Sequence, residues 1–162
     1  MNVSDKKIAI IDIETSGIFC GEDGNEPASI LRVDGTKIDR GEIVENFSSL
    51  VASDKYIPKH IEEITGINNL MLNGAPNVKT VLKNLKEFTS GYEVYARNSK
   101  FDNKFLTYYG NKFEEEVNLA KADDSDEISV FINYGAGVRE RLKETKDLET
   151  LTLAKMIIEV KI

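Results

Sequence analysis

The fold is decided by residues 6–17, which read KKIAIIDIETSG. Residues 6–14 are apolar on both faces of an extended chain, a pattern typical of a strand in the centre of a sheet. The Thr-Ser-Gly sequence at 15–17 ends this strand. Because side chains alternate along a strand, Asp12 and Glu14 project from the same face. The sequence therefore predicts two neighbouring carboxylates at the end of a buried strand.

These two carboxylates have two interpretations. Asp12 and Glu14 repel each other, and burial adds a desolvation penalty to both charges. A hard divalent cation with oxygen ligands between them would offset both effects. Alternatively, the strand reaches the surface at its end and both acids are hydrated. The Asp-x-Glu pattern alone leaves the metal site and the solvated strand end open.

A loop and a hairpin are expected after this strand. Residues 19–29 are polar and contain two glycines and a proline, which indicates a loop. The segments 30–38 and 42–51 flank the turn-forming residues 39–41 and are predicted as paired strands. A short helix is then expected from Pro58 to a stop at Gly66.

A longer helix follows, from Pro76 to Gly91. Its apolar residues recur at helical spacing and form one face: Val78, Val81, Leu82, Leu85 and Phe88. A strand at 93–97 and another helix from Ser99 come next. This order predicts the α/β class, a mixed sheet with helices packed on it.

The last part of the chain is expected to hold a solvated acidic loop at 114–127, a strand at 128–134 and a helix that begins near Asp147. Residues 112–127 contain two basic and seven acidic residues, so this segment carries most of the excess negative charge. A solvated loop explains this run without a docking role.

A second feature lies at residues 96–102, which read ARNSKFD. A strand ends here and a helix begins, so Asp102 falls in the first helical turn, where the helix dipole favours an anion. One interpretation is a capping box formed by Ser99 and Asp102. The other makes Asp102 a third carboxylate beside Asp12 and Glu14, because strand ends at one edge of an α/β sheet form ligand crevices.

Composition excludes several classes of protein. The chain has 162 residues, the length of one domain, and a formal net charge of −7. Cys20 is its single cysteine, which excludes a disulfide framework and a cysteine-rich zinc site. No apolar run reaches the roughly 18 residues of a membrane span, and no signal peptide is visible, so we expect no membrane association and a cytoplasmic location. The charge argues against a protein that coats polyanions generally, but it leaves nucleic-acid binding open, because a local basic stripe or bound cations can supply the attraction. His60, the single histidine, is expected on the surface.

Five segments together resemble the DEDD superfamily of 3′–5′ exonucleases. The similarity is to its DnaQ-like branch, which includes the epsilon subunit and the PolC-type proofreading domain of bacterial DNA polymerase III. In chain order the segments are 10–17, 30–51, 57–72, 98–106 and, more weakly, 148–154. They resemble the first motif, its hairpin, the segment before the second motif, the second motif and the approach to the third.

The resemblance implies a ribonuclease-H-like fold, a mixed sheet flanked by helices. It also implies two Mg²⁺ or Mn²⁺ ions that clamp the scissile phosphate. By carry-over, Asp12, Glu14 and Asp102 are the catalytic, metal-binding residues. The residues that would contact the substrate strand are Thr15, Gly17, Ile18, Ile67, Asn98 and Phe101. The implied substrate is the 3′ end of single-stranded DNA, with RNA as an alternative, and the implied partner is a DNA polymerase.

The chain also departs from that family. The third motif, a general-base His or Tyr before a fourth metal-binding Asp, is not found, so we expect one exonuclease-like domain over residues 1–162 that is incomplete at its C-terminal end. Arg97 stands where the family has a histidine, and Thr65 where a histidine is frequent. Two alternatives to a nuclease remain: a non-catalytic module that binds a nucleic acid or a replication partner, and an α/β domain without a nucleic-acid role.

Overall fold

The computed structural model describes residues 6–19, 26–120, 150, 151, 154 and 155. Within these, four strands and three helices follow one another along the chain: β1 (Lys7–Thr15), β2 (Ile30–Asp39), β3 (Glu42–Leu50), α1 (Lys59–Thr65), α2 (Val78–Thr89), β4 (Glu93–Ala96) and α3 (Ser99–Phe113). The order of strands and helices over these residues is the one that the sequence predicts.

The four strands form one mixed sheet in the order β3-β2-β1-β4. β1 pairs antiparallel with β2 and parallel with β4, so it lies inside the sheet and is covered on both edges. The parallel pairing continues past β4, where the Arg97 N–H donates to the Ile11 carbonyl at 3.0 Å. The predicted fold class, a mixed sheet with helices, is confirmed.

The hairpin between β2 and β3 turns at two residues with positive φ. Arg40 has φ 52° and Gly41 has φ 75°, the left-handed pair of a two-residue hairpin turn that matches the twist of its strands. The predicted turn at 39–41 is therefore confirmed. β2 also pairs with β1, and that register places Arg32 opposite Glu14 and Asp34 opposite Asp12.

Buried apolar side chains join the elements, and two clusters among the described residues position the site. The larger cluster joins the β1 face that carries Ala9, Ile11 and Ile13 to the apolar side of α2 and to α3. Asn77 caps α2 by accepting a hydrogen bond from the Thr80 N–H at 2.9 Å. The smaller cluster lies beneath α1 and contains Leu31, Ile57, Ile61, Ile67 and Leu72. Together they fix β1, α1 and α3 relative to one another.

The segment after α3 differs from its prediction as a solvated loop. It has no regular structure over 114–120, but Val117 is buried in the larger cluster and the Ala120 N–H donates to the Val94 carbonyl at 2.7 Å. The Val117 side chain and the backbone hydrogen bond to β4 attach this part to the body, while Glu114 and Glu116 stay exposed.

The remaining predictions for the C-terminal part lie largely outside the described residues. These include the rest of the acidic loop, the strand at 128–134 and the start of the last helix. Residues 150, 151, 154 and 155 are helical, and Thr150 is buried, with its hydroxyl 3.1 Å from that of Thr36. Among the helices described, none combines the length and the apolar character that a membrane crossing requires.

Candidate functional site

A cleft of about 260 Å³ opens where β1 ends and α3 begins. Its walls come from the end of β1, from α1 and from the start of α3. All three predicted metal-binding residues line it, together with five of the six predicted substrate-binding residues: Asp12, Glu14, Asp102, Thr15, Gly17, Ile18, Asn98 and Phe101. The structure therefore brings distant motifs of the chain to one place.

The sheet topology explains how Asp102 comes close to β1. β1 and β4 run in parallel, so both strands end at the same edge, and α3 begins three residues after β4. The Asp102 carboxylate accepts a hydrogen bond from the Asn98 N–H at 3.1 Å. This bond ties the Asp102 side chain to the start of α3. The capping-box interpretation expects the bond to come from Ser99, but the donor is Asn98, the residue that caps the helix.

The three carboxylates lie close enough to perturb one another. Asp102 is only 1% exposed. Burial, and after it the negative charge of Asp12, raises the pKa of Asp102 to about 8. The pKa of Glu14 is also raised, first by burial and then by Asp12. A shared cation would relieve this repulsion.

Two arginines already supply positive charge at this site. The Arg97 Nε lies 3.2 Å from Asp12 Oδ1 and donates a hydrogen bond to it. The Arg32 Nη2 lies 3.9 Å from Glu14 Oε1. The Arg32 Nε lies 2.8 Å from Asp34 Oδ2, a charge contact in which the N–H is not aligned as a hydrogen bond. Sequence reasoning missed both pairings. The register between β1 and β2, which places Arg32 opposite Glu14, is the signal that could have found the one with Arg32.

The donor chemistry of the cleft fits a divalent cation, but the present arrangement is not a finished metal centre. Oxygen ligands from Asp12, Glu14 and Asp102 are those that Mg²⁺ and Mn²⁺ prefer. Among the residues that the structure describes, however, no group of three or more Asp, Glu, His or Cys side chains is arranged to hold a metal ion. The guanidinium of Arg97 forms an ion pair with Asp12.

The predicted substrate-binding residues form the outer part of the cleft. The Thr15 hydroxyl donates to the Gly17 carbonyl at 2.7 Å, which fixes the turn that ends β1. Ile18 is 75% exposed at the rim. Phe101 is half-buried against Phe105, with ring centroids 4.9 Å apart, so its remaining surface faces the cleft.

Ile67 is not brought to the cleft. It is 1% exposed and packs in the smaller cluster beneath α1, so its side chain is not available to a nucleic-acid base. The cleft is lined instead by Ile61, Ile64 and Thr65, which sequence reasoning did not select, and Ile64 is 78% exposed. Because α1 ends at Thr65 and Gly66 adopts a left-handed conformation, Ile67 leaves the helical spacing and turns inward. His60 is exposed, as predicted.

Comparison with known proteins places these observations in a family. A family model described as "Exonuclease" (RNase_T) matches residues 9–158. Over 112 residues the chain is 30% identical to the DNA polymerase III subunit epsilon of Aquifex aeolicus, a match that covers 69% of this chain and 53% of that protein. Over 102 residues it is 34% identical to a PolC-type DNA polymerase III of Clostridium perfringens, covering 63% of this chain and 7% of that protein.

A solved structure gives the same fold. The nuclease domain of 3′hExo, described as a DEDDh family member bound to rAMP, matches with a TM-score of 0.67 and 18% identity, covering 99% of this chain and 94% of that one. The likeness shows that the described sheet and helices have the ribonuclease-H-like arrangement of such domains. The chain spans about half or less of the length of the two curated relatives above.

Proposed function

This chain belongs to the exonuclease family, and from that premise we propose that it hydrolyses phosphodiester bonds at the 3′ end of single-stranded DNA with divalent cations. The observation that carries the proposal is the meeting of Asp12, Glu14 and Asp102 in one cleft whose rim is apolar. The DEDD exonuclease family generally uses divalent metal ions. The relatives are a DNA polymerase III subunit epsilon and a PolC-type DNA polymerase III, which supports a DNA substrate and a polymerase partner.

Each group of cleft residues has a distinct part in this proposal. Asp12, Glu14 and Asp102 would hold two Mg²⁺ or Mn²⁺ ions. When bound, such ions supply an activated water and stabilise charge on the phosphate and the leaving oxygen. The hydrogen bond from Asn98 holds the Asp102 carboxylate in a fixed orientation.

The rim residues would orient the terminal nucleotide. Ile18 and Ile64 are exposed apolar side chains on two sides of the cleft, from the end of β1 and from α1. Apolar side chains pack on the faces of bases through the hydrophobic effect, which does not depend on base identity and suits an enzyme that removes any terminal nucleotide. Phe101 adds an aromatic edge to the same path.

The proposal is tested with a single-stranded DNA oligonucleotide that carries a fluorophore at its 5′ end. With Mn²⁺ we expect a ladder of products shortened one nucleotide at a time from the 3′ end. A phosphorothioate linkage at the 3′ end should block the ladder. A uniform absence of shortening with Mg²⁺ and with Mn²⁺ would contradict the proposal.

Matched variants separate a site effect from a charge effect. Asp12→Asn and Asp102→Asn each keep the side-chain volume and should lower the rate by at least about 10²-fold. Glu45→Gln removes an acidic charge from β3, where Glu45 pairs with Lys37 at 2.8 Å outside the cleft. This variant should hydrolyse the oligonucleotide at the wild-type rate.

A non-catalytic module is the second candidate, and the ion pair between Arg97 and Asp12 favours it. A guanidinium at that carboxylate neutralises it without a metal ion. Such a module would bind the oligonucleotide with no product ladder, and its affinity would be insensitive to Asp12→Ala. Fluorescence anisotropy, measured beside the hydrolysis assay, distinguishes this candidate from the enzyme.

A further inference from the structure

We propose that Arg97 is a built-in counter-ion that competes with the divalent cation for Asp12 and so weakens cation binding in the cleft. This inference rests on the proposed function, because it concerns the same carboxylates. It addresses the affinity of the site for its cation rather than the chemical step.

The first support is the geometry of the ion pair. The Arg97 Nε lies 3.2 Å from Asp12 Oδ1, and the Arg97 side chain is 32% exposed whereas that of Asp12 is 4% exposed. A cation that binds Oδ1 of Asp12 must therefore share or take the oxygen that the guanidinium now contacts, and a cation that binds Oδ2 is repelled by the adjacent guanidinium charge. Because Arg97 retains an exposed portion, its side chain can turn toward solvent while Asp12 stays in place.

The second support is the backbone that delivers the guanidinium. The Arg97 N–H donates to the carbonyl of Ile11, the residue before Asp12, at 3.0 Å. The parallel pairing of β1 and β4 thus holds residue 97 beside residue 12 whether or not the side chains interact. The sheet pairing therefore positions the two residues of this ion pair.

The third support is the permanent charge of Arg97, which lines the same cleft as Glu14 and Asp102. A guanidinium stays protonated at any pH at which the protein is folded, so changing pH does not remove this competitor. Only displacement of the side chain leaves the three carboxylates to a metal ion.

Arg32 has a different place and does not share this role. Its Nε lies 2.8 Å from Asp34, a residue that does not line the cleft, and its contact with Glu14 is longer, at 3.9 Å. The charge of Arg32 is therefore held largely by Asp34. Arg97 is the arginine that lines the cleft itself.

Isothermal titration of Mn²⁺ into the metal-stripped full chain tests the inference without any measurement of hydrolysis. In the wild type, Mn²⁺ must displace the charge-assisted hydrogen bond between Arg97 and Asp12, which costs binding free energy. Arg97→Ala and Arg97→Gln should therefore bind Mn²⁺ about tenfold more tightly than the wild type. Arg97→Gln keeps a polar side chain of similar length, in case the alanine variant does not fold. Arg40→Ala removes the same charge at the hairpin turn and should change the affinity by less than about twofold.

A second substitution shows whether the effect acts through Asp12. In an Asp12→Asn background, Arg97→Gln should give no gain in Mn²⁺ affinity, because the competed carboxylate is gone. Equal Mn²⁺ affinity of the wild type, Arg97→Ala and Arg97→Gln would overturn the inference and leave the proposed function standing. Failure of every variant to bind Mn²⁺ would overturn both.

Discussion

At the scale of single residues, the buried carboxyl group of Asp102 makes stability depend on pH. Its pKa is raised to about 8 by burial and by Asp12, whereas an unfolded chain would ionise it near the ordinary value of 3.8. Between these two values the folded protein holds a proton that the unfolded protein has lost. The contribution of this group to stability is therefore present below the lower pKa and is lost as the pH rises toward the higher one.

Asp102→Asn should remove most of this dependence in EDTA-treated protein. Asparagine cannot ionise, and its oxygen can still accept the hydrogen bond from the Asn98 N–H. At pH 8.5 we expect the Tm of the variant to lie at least about 4 °C above that of the wild type. At pH 5 this difference in Tm should be much smaller. Thermal unfolding over pH 5–9 measures the difference. Parallel Tm curves for the two proteins would refute it; Asp39→Asn, outside the cleft, is the matched control.

At the scale of elements, α2 approaches the sheet where β2 has no side chain. A Cβ atom on Gly35 would lie 2.8 Å from Phe88 Cε1 and 3.5 Å from Phe47 Cβ. The rings of Phe47 and Phe88 have centroids 5.3 Å apart and fill the space between the helix and the hairpin. The absence of a side chain at residue 35 thus sets how closely α2 packs on the sheet.

Gly35→Ala is expected to lower the free energy of unfolding by about 1–3 kcal/mol, because an added methyl group overpacks this contact. Urea unfolding followed by circular dichroism measures the loss. The double variant Gly35→Ala/Phe88→Leu should recover part of it, since leucine lacks the ring edge that the new methyl group meets. No initial loss would show that α2 shifts freely on the sheet, and a loss without recovery would show that the Phe88 ring is not its cause.

At the scale of the whole molecule, the net charge of −7 opposes the approach of a polyanion. The cleft adds to this repulsion, since Asp12, Glu14 and Asp102 all line it. A nucleic-acid strand therefore needs cations at the cleft before its phosphates can approach. Affinity for the strand and affinity for divalent cations are expected to rise together.

Single-stranded DNA should accordingly bind at least about tenfold more weakly in EDTA than in Ca²⁺ at the same ionic strength. Fluorescence anisotropy measures both affinities, and Ca²⁺ is chosen so that binding is observed under conditions of slow hydrolysis. Asp12→Asn should reduce the difference between the two conditions. The same affinity in EDTA and in Ca²⁺ would contradict a cation-dependent cleft.

Local patterns were sufficient to predict most of the described elements. The apolar run of β1, the turn residues Arg40 and Gly41, and the helical spacing of the apolar side of α2 each follow from backbone and burial preferences within a short window. The placement of Asp102 beside β1 also follows, because parallel strands end at one edge of a sheet.

Features that depend on register or on chain reversal could not be predicted in the same way. The isoleucines at 61, 64 and 67 look equivalent in sequence, but the left-handed Gly66 turns Ile67 into the core and leaves Ile64 exposed. The pairing of Arg97 with Asp12 requires the exact offset between β1 and β4. Val117 lies in an acidic segment, and only its contact with the larger cluster shows that it is buried.

The short ladder between β1 and β4 has a consequence for folding kinetics. It contains four residue pairs and joins two segments that are far apart in the chain. Its formation therefore closes a long loop, at a cost in chain entropy, for the stabilisation of only a few backbone hydrogen bonds. The cleft therefore exists only after this closure, and it is lost whenever β4 separates from β1. A ligand that contacts both Asp12 and Asp102 would bridge the two segments like a reversible cross-link. Such a ligand would slow the unfolding of the protein.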